Sequence, residues 1–224
     1  MRNLTYLFLA TLLLLAACVP SGSAIQAAAA DTPTPQPGWQ DVRQEGFRLS
    51  LPPGWETFEV EGQDLDGVVT MLEGLDDPAA QAMLEMAASM SSEGLAGIEV
   101  NPQARFFARE AGGHGMLGVL SLRLPIDMGS SVVCSLMPAF FSQTGLIVLD
   151  RDCRLERNGL GGGRFMTSGR VGGMDSRQSM VFYLDGVDLW ILLAVMQEDS
   201  REGSDAALDA ITASFGVEGE TDSP

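Results

Sequence analysis

Three methionines carry the most distinctive chemical pattern in this sequence. Met83, Met86 and Met90 are three and four residues apart, so a helix would place their thioethers on one face. Thioethers are soft ligands that suit Cu(I). The same spacing also fits a buried helix face, because methionine fills irregular cores. The pattern therefore predicts a core-facing helix, with a copper site as the alternative.

Aspartates offer oxygen ligands for a second kind of metal site, one that would hold calcium. The candidates lie in short acidic segments: Asp64, Asp66, Asp76, Asp77, Asp150 and Asp152. None belongs to an EF-hand loop, since the segment that starts at Asp64 lacks the third acidic position and the spaced glutamate. We interpret these carboxylates as solvated loop side chains, and calcium binding is the alternative.

The sequence contains no motif that predicts catalysis. His114 is the single histidine and is flanked by glycines, and no Gly-x-Ser-x-Gly nucleophile elbow occurs. A hydrolase would need a hydroxyl and a carboxylate beside this imidazole. The glycine-rich stretch 159–163 precedes a predicted strand instead of opening a helix, so it indicates a turn and not a phosphate-binding loop. We expect no catalytic residue and no cofactor, with His114 exposed on a loop.

The first of the three cysteines indicates where the chain is located. Residues 1–17 combine Arg2 with a short apolar run, and Leu15-Ala16-Ala17-Cys18 matches the bacterial lipobox. The run is much shorter than the roughly 20 residues that span a bilayer as a helix. We predict cleavage before Cys18 and a membrane lipoprotein that acyl chains on this cysteine hold, facing the periplasm or the cell exterior. An ordinary secretory signal is the alternative, and it too exports the chain.

The other two cysteines, Cys134 and Cys153, are candidates for a disulfide. Two cysteines in an oxidising compartment more often pair than not. A bridge between them would close a loop of about 20 residues and stabilise the fold by roughly 3 kcal/mol. Two buried free thiols are the alternative.

Strong acidity limits the partners of the chain. The sequence has 13 basic and 30 acidic residues, a formal net charge of −17, and its basic residues are all arginine. Such a surface repels nucleic acid and anionic headgroups, so we expect no nucleic-acid binding and no membrane attachment through charge. The expected partners are the membrane, through the acyl chains on Cys18, and a protein.

Composition divides the chain of 224 residues into four segments. Residues 1–17 are the predicted lipoprotein signal peptide, and 18–38 are an alanine- and proline-rich tether with too little bulky apolar surface to pack. Residues 39–217 have the length of one ordinary domain. The acidic residues 218–224 are predicted to be a disordered tail.

Alternation and capping signals predict strands interspersed with helices within 39–217. Expected strands cover 47–51, 55–60, 105–109, 116–124, 146–155, 164–171, 179–184 and 187–196. Expected helices cover 64–75, a segment that begins at 77–78, 130–143 and 204–215. Asp185-Gly186 is a two-residue hairpin signal, and the run 189–195 is apolar on both faces, which indicates a central strand. The pattern predicts an α+β fold with an antiparallel-rich sheet.

Three short motifs carry a family resemblance. Gly46-Phe47-Arg48-Leu49-Ser50-Leu51-Pro52-Pro53-Gly54-Trp55, Asn158-Gly159 with Gly163-Arg164, and Ile211-Thr212-Ala213-Ser214-Phe215 together resemble PsbP-like proteins and bacterial lipoproteins of the DcrB and LpqN type. The likeness spans residues 46–216. It implies an α/β/α sandwich with a central, mainly antiparallel sheet, and a binding or assembly factor instead of an enzyme. The resemblance transfers no functional residue to this chain. The sequence also has no set of residues that matches a manganese-binding site of the family.

These observations predict a lipid-anchored extracytoplasmic module without catalytic activity. It would bind a protein or a small ligand outside the cell membrane. The alternative function is extracytoplasmic metal binding, with copper held by Met83, Met86 and Met90 or calcium held by the aspartates.

Overall fold

A computed structural model describes residues 37–58, 60, 65–75, 77–93, 102–112, 114–198 and 204–218. Within these ranges the side chains of 65–66, 87–93 and 204–205 are not described. The predicted signal peptide with Cys18, most of the tether and the tail beyond 218 lie outside the described residues, as do Asp64 and Asp76.

Ten strands and four helices make up the described part of the chain. The strands are β1 (Gln40–Gln44), β2 (Phe47–Leu51), β3 (Trp55–Phe58), β4 (Gln103–Glu110), β5 (Gly115–Arg123), β6 (Ile147–Arg157), β7 (Leu160–Val171), β8 (Met174–Asp185), β9 (Asp188–Gln197) and β10 (Gly216–Val217). The helices are α1 (Leu65–Glu73), α2 (Pro78–Glu93), α3 (Ser130–Gln143) and α4 (Ser204–Ser214).

Seven strands form the central sheet in the order β3-β4-β5-β9-β8-β7-β6, and every neighbouring pair is antiparallel. The predicted antiparallel sheet is therefore confirmed. The β8–β9 hairpin differs by one residue from the prediction, because Asp185 pairs with Asp188 and the two loop residues are Gly186 and Val187. Gly186 has φ +61°, which suits the first loop position of a type II′ turn.

Both faces of the central sheet are covered, which explains the continuous apolar run of β9. Leu189, Ile191 and Leu193 belong to the core under α1, α2 and α3, whereas Leu192 and Ala194 belong to the core on the opposite face. The opposite face is covered by α4 and by a small antiparallel sheet of order β1-β2-β10. The layers are those of the predicted α/β/α sandwich, and the small sheet is an addition that the sequence did not predict.

Helix α3 lies close to β7, and glycine makes this approach feasible. A Cβ on Gly161 would lie 2.6 Å from Oγ of Ser130, and one on Gly163 would lie 3.1 Å from Sγ of Cys134. The interpretation of 159–163 as a turn is therefore only partly right. Asn158 and Gly159 form the β6–β7 turn with φ of 52° and 78°, and the other three glycines lie in β7.

The structure joins Cys134 of α3 to Cys153 of β6 by a disulfide, with 5.8 Å between the Cα atoms and a sequence separation of 19. The bridge ties the helical layer to the edge strand of the central sheet. Removing it with a Cys134→Ala, Cys153→Ala double variant is expected to lower the free energy of unfolding by about 3 kcal/mol, because the unfolded chain regains the entropy of that loop.

Urea denaturation of the two proteins in oxidising buffer measures this difference. The control repeats the comparison with a reductant present, where the two midpoints should converge. Equal midpoints in oxidising buffer would show that the bridge contributes nothing to stability.

Candidate functional site

A polar cavity of about 480 Å³ opens where the start of α2 meets the far ends of β4 and β9. Its titratable lining consists of Glu56, Asp77, Arg109, Glu110 and His114. We call it the acidic cavity, because three carboxylates face one guanidinium. With Gln197, which also lines the cavity, these residues come from four separate parts of the chain that the tertiary fold brings together.

Asp77 is the most buried acidic residue of the lining, with 6% of its surface exposed. As predicted, it begins the helix: its Oδ1 accepts a hydrogen bond of 2.8 Å from the backbone N–H of Ala79. Its Oδ2 is buried and has no hydrogen-bond partner within the described part of the chain. A buried carboxylate oxygen without a donor is costly, so this atom suits a ligand that brings an N–H group.

Strand pairing sets the position of the one guanidinium. Glu56 of β3 lies opposite Arg109 of β4, and the Nε and a terminal nitrogen of Arg109 donate to Oε2 of Glu56 at 3.1 and 2.9 Å. The same guanidinium lies over the ring of Phe58, 5.4 Å from its centre. Glu56 and Arg109 therefore largely neutralise each other, and the excess negative charge of the cavity comes from Asp77 and Glu110.

His114 differs from the exposed loop residue that the sequence predicts. It is half-buried and lines the acidic cavity, where Nδ1 donates to Oε1 of Gln197 at 3.2 Å. The backbone N–H of Gln197 donates in turn to the carbonyl of His114. None of the described residues that line the cavity carries a hydroxyl or a thiol, so the imidazole has carboxylates near it without a nucleophile.

The candidate metal ligands that the structure describes lie in different parts of the fold. Met83 and Met86 are 2% and 1% exposed and lie in the core beneath α2, and the side chain of Met90 lies outside the described part. Asp150 pairs with Arg164 at 3.3 Å, and Asp152 accepts a bond from the backbone N–H of its neighbour Arg154. The described residues include no group of three or more histidine, cysteine, aspartate or glutamate side chains that could hold a metal ion. Copper and calcium binding stay predictions.

Sequence reasoning missed most of the acidic cavity. The sequence predicts Asp77 as the start of a helix and as a calcium candidate, but no pattern in it marks Glu56, Glu110 or Gln197. Each is an ordinary polar residue near the end of a strand, and nothing in its immediate neighbours distinguishes it. Only the register of β3, β4 and β9 places these side chains around His114.

Comparison with known proteins finds likeness in structure alone. No family model and no curated protein sequence matches the chain. Cyanobacterial PsbP (CyanoP) from Synechocystis is similar over 89% of this chain and 99% of its own, with 12% identity and a TM-score of 0.48. LpqN of Mycobacterium tuberculosis, a protein involved in cell envelope biogenesis, is similar over 80% of this chain and 90% of its own, with 10% identity and a TM-score of 0.47.

This is a likeness of fold. These two structures, a PsbP protein and LpqN, represent groups that the short sequence motifs resemble. Among the described residues, no helix is both long and apolar enough to cross a membrane.

Proposed function

We propose that this chain is an extracytoplasmic binding module, attached to a membrane through Cys18, that holds a cationic group in the acidic cavity. The observation that carries the proposal is the Asp77 carboxylate, which is buried in the cavity lining and has one oxygen without a hydrogen-bond partner among the described residues. An ammonium or guanidinium group supplies both the positive charge and the N–H donor that this oxygen lacks.

An organic cation fits this cavity better than a metal ion does. The volume of about 480 Å³ falls within the roughly 300–1,000 Å³ of small-ligand sites. A metal ion would need several convergent ligands, and the described residues provide no such cluster. A guanidinium or ammonium instead tolerates acceptors spread along a wall.

Binding is also the chemistry that the lining favours over hydrolysis. His114 has carboxylates in the same cavity, but the described lining offers no hydroxyl or thiol to activate. The net charge of −17 raises the local concentration of cations around the chain and so favours their capture.

The single histidine provides a direct test, because the Cε1 proton of His114 gives one resolved NMR signal. We expect N-acetyl-arginine methylamide to shift this signal in a saturable titration. The Asp77→Asn variant should raise the dissociation constant by roughly tenfold or more, since a charged hydrogen bond is lost. Asparagine keeps the N-cap of α2, so the fold should be retained.

Two controls separate capture of a cation from a general effect. N-acetyl-citrulline methylamide has the same shape without the charge and should not saturate the signal. Asp127→Asn, a substitution at an exposed loop residue, should bind like the unchanged chain. Equal affinity for the arginine and citrulline compounds, or an unaltered affinity in Asp77→Asn, would rule the proposal out.

A further inference from the structure

A second cleft, of about 390 Å³, lies on the face of the central sheet that carries α4 and the small sheet. Its polar lining comes from three adjacent strands, with Gln103 and Arg105 on β4, Ser121 and Arg123 on β5, and Asp188 and Trp190 on β9. Strand register sets two rows: Ser121 pairs with both Gln103 and Trp190, and Arg123 pairs with Asp188. We call it the arginine cleft.

An irregularity in β4 places Arg105 in this cleft. The register between β4 and β5 shifts between Ala104 and Phe106, so Arg105 has no Cα partner on β5. Bulges of this kind turn a side chain toward a new direction and are common beside functional sites. Arg105 thus lines the cleft together with Ser121 of β5 and Trp190 of β9.

Three contacts hold the Arg105 guanidinium in place. Nε donates to Oγ of Ser121 at 2.7 Å, and a terminal nitrogen donates to Oε1 of Gln103 at 2.9 Å. The guanidinium carbon lies 5.8 Å from the ring centre of Trp190. A side chain fixed in this way loses little conformational entropy when it binds a ligand.

Trp190 forms a rigid wall of the cleft. A Cβ on Gly46 would lie 2.6 Å from its ring, so the β1–β2 turn packs directly on the indole. The ring of Phe47 lies 6.1 Å away on the same side. This packing restrains the indole ring.

The charge of the cleft is unusual for this chain. Salt bridges within the described part engage Arg43, Arg109, Arg164, Arg170 and Arg177. Arg105 and Arg123 are two of the six described arginines that form none with a described carboxylate. Two guanidiniums with one carboxylate, Asp188, leave the cleft locally positive on an acidic protein.

We propose that the arginine cleft binds a carboxylate group. Planar guanidiniums match the geometry of carboxylates and phosphates, and Arg105 and Arg123 lie on the same side of adjacent strands. The overall charge of −17 opposes a phosphate dianion more than a carboxylate monoanion. The carboxylate comes from a free organic acid or from an acidic peptide, which share this chemistry.

Fluorine NMR of 5-fluorotryptophan-labelled protein tests the assignment. The sequence has three tryptophans, and a Trp190→Phe variant identifies the Trp190 signal. Titration with benzoate should move this signal to saturation, and benzamide, its neutral counterpart, should leave it unmoved. A blocked glutamate peptide in a parallel titration shows whether a peptide carboxylate is also accepted.

Variants of the two arginines make the result specific. Arg105→Gln and Arg123→Gln should each weaken benzoate binding by about tenfold, because each removes a charged hydrogen-bond donor. Arg43→Gln, which removes an exposed arginine paired with Asp41, should change nothing. The proposal is overturned if neither benzoate nor the glutamate peptide gives a saturable shift. It is also overturned if benzoate binds the double variant Arg105→Gln, Arg123→Gln as tightly as it binds the unchanged chain. Tighter binding of inorganic phosphate than of benzoate would overturn it as well.

Discussion

Replacing Cys18 with serine is expected to move the exported chain from the membrane fraction to the soluble fraction of a bacterial host that processes lipoproteins. Serine cannot accept the thioether-linked diacylglyceryl group, so no acyl chain is attached. Each buried methylene contributes about 0.8 kcal/mol of membrane affinity, and two or three chains therefore change the partition by many orders of magnitude. Fractionation, together with mass spectrometry of the mature amino terminus, measures both location and modification.

A matched control for this experiment is Ser21→Ala, which lies beyond the lipobox and keeps the same predicted signal. It should stay in the membrane fraction and carry the acyl mass. An unchanged chain that is released without any acyl group would contradict the lipoprotein assignment and favour an ordinary secretory signal.

Replacing Arg157 with alanine is expected to lower the free energy of unfolding by roughly 3 to 5 kcal/mol, because two hydrogen bonds from a charged group are lost. Arg157 ends β6 and is 9% exposed. Its guanidinium donates to the carbonyl of Ala213 at 3.0 Å and to the carbonyl of Phe215. Both carbonyls lie at the junction between α4 and β10, so the side chain connects this junction to the central sheet.

Removal of this guanidinium leaves the two carbonyl groups without their hydrogen-bond donor in a closely packed environment. Gly216 lies against the guanidinium, since a Cβ there would be 3.3 Å from Nε of Arg157. Burial lowers the pKa of Arg157, and the neighbouring Tyr183 opposes that change. The positive charge is therefore held against a desolvation cost, and the hydrogen bonds to the chain end offset it.

Urea denaturation of Arg157→Ala and of Arg154→Ala provides the comparison, because Arg154 is exposed on the same strand. The Arg154 variant should unfold within about 0.5 kcal/mol of the unchanged chain. Tyr183 gives a second readout, since it is the only tyrosine in residues 18–224. Burial raises its pKa and the Arg157 charge lowers it, so tyrosinate absorbance should appear at higher pH in folded Arg157→Ala. Equal stability of the two variants would refute the role of Arg157.

Local signals in the sequence are sufficient to predict the helices. The helix predicted over 130–143 matches α3, Ser130–Gln143, even with Pro138 inside it. Asp77 and Pro78 begin α2 as predicted, because an N-cap acceptor and a first-turn proline act through their immediate neighbours. Such signals depend on a few consecutive residues, so they can be recognised in the sequence when the rest of the fold is not known.

The small sheet could not be predicted in this way. Strand β1 has one buried residue, Val42, among four exposed polar ones, and it therefore lacks the alternation that marks a half-buried strand. Strand β10 consists of Gly216 and Val217 alone, and it exists because β2 offers it a free edge. Long-range pairing creates both strands, and a sequence window contains only one partner of each pair.

By itself, the sequence determined the acidic charge, the arginine-only basic residues and the positions of most helices and strands, and it predicted the anchor at Cys18. These properties reside in composition or in short runs of neighbours. The tertiary structure alone decided that Asp77 and His114 share a cavity and that Arg105 and Trp190 share a cleft. Their chain separations are large, and the strand register and one bulge bring them together, so the binding surfaces follow from contacts that no local pattern encodes.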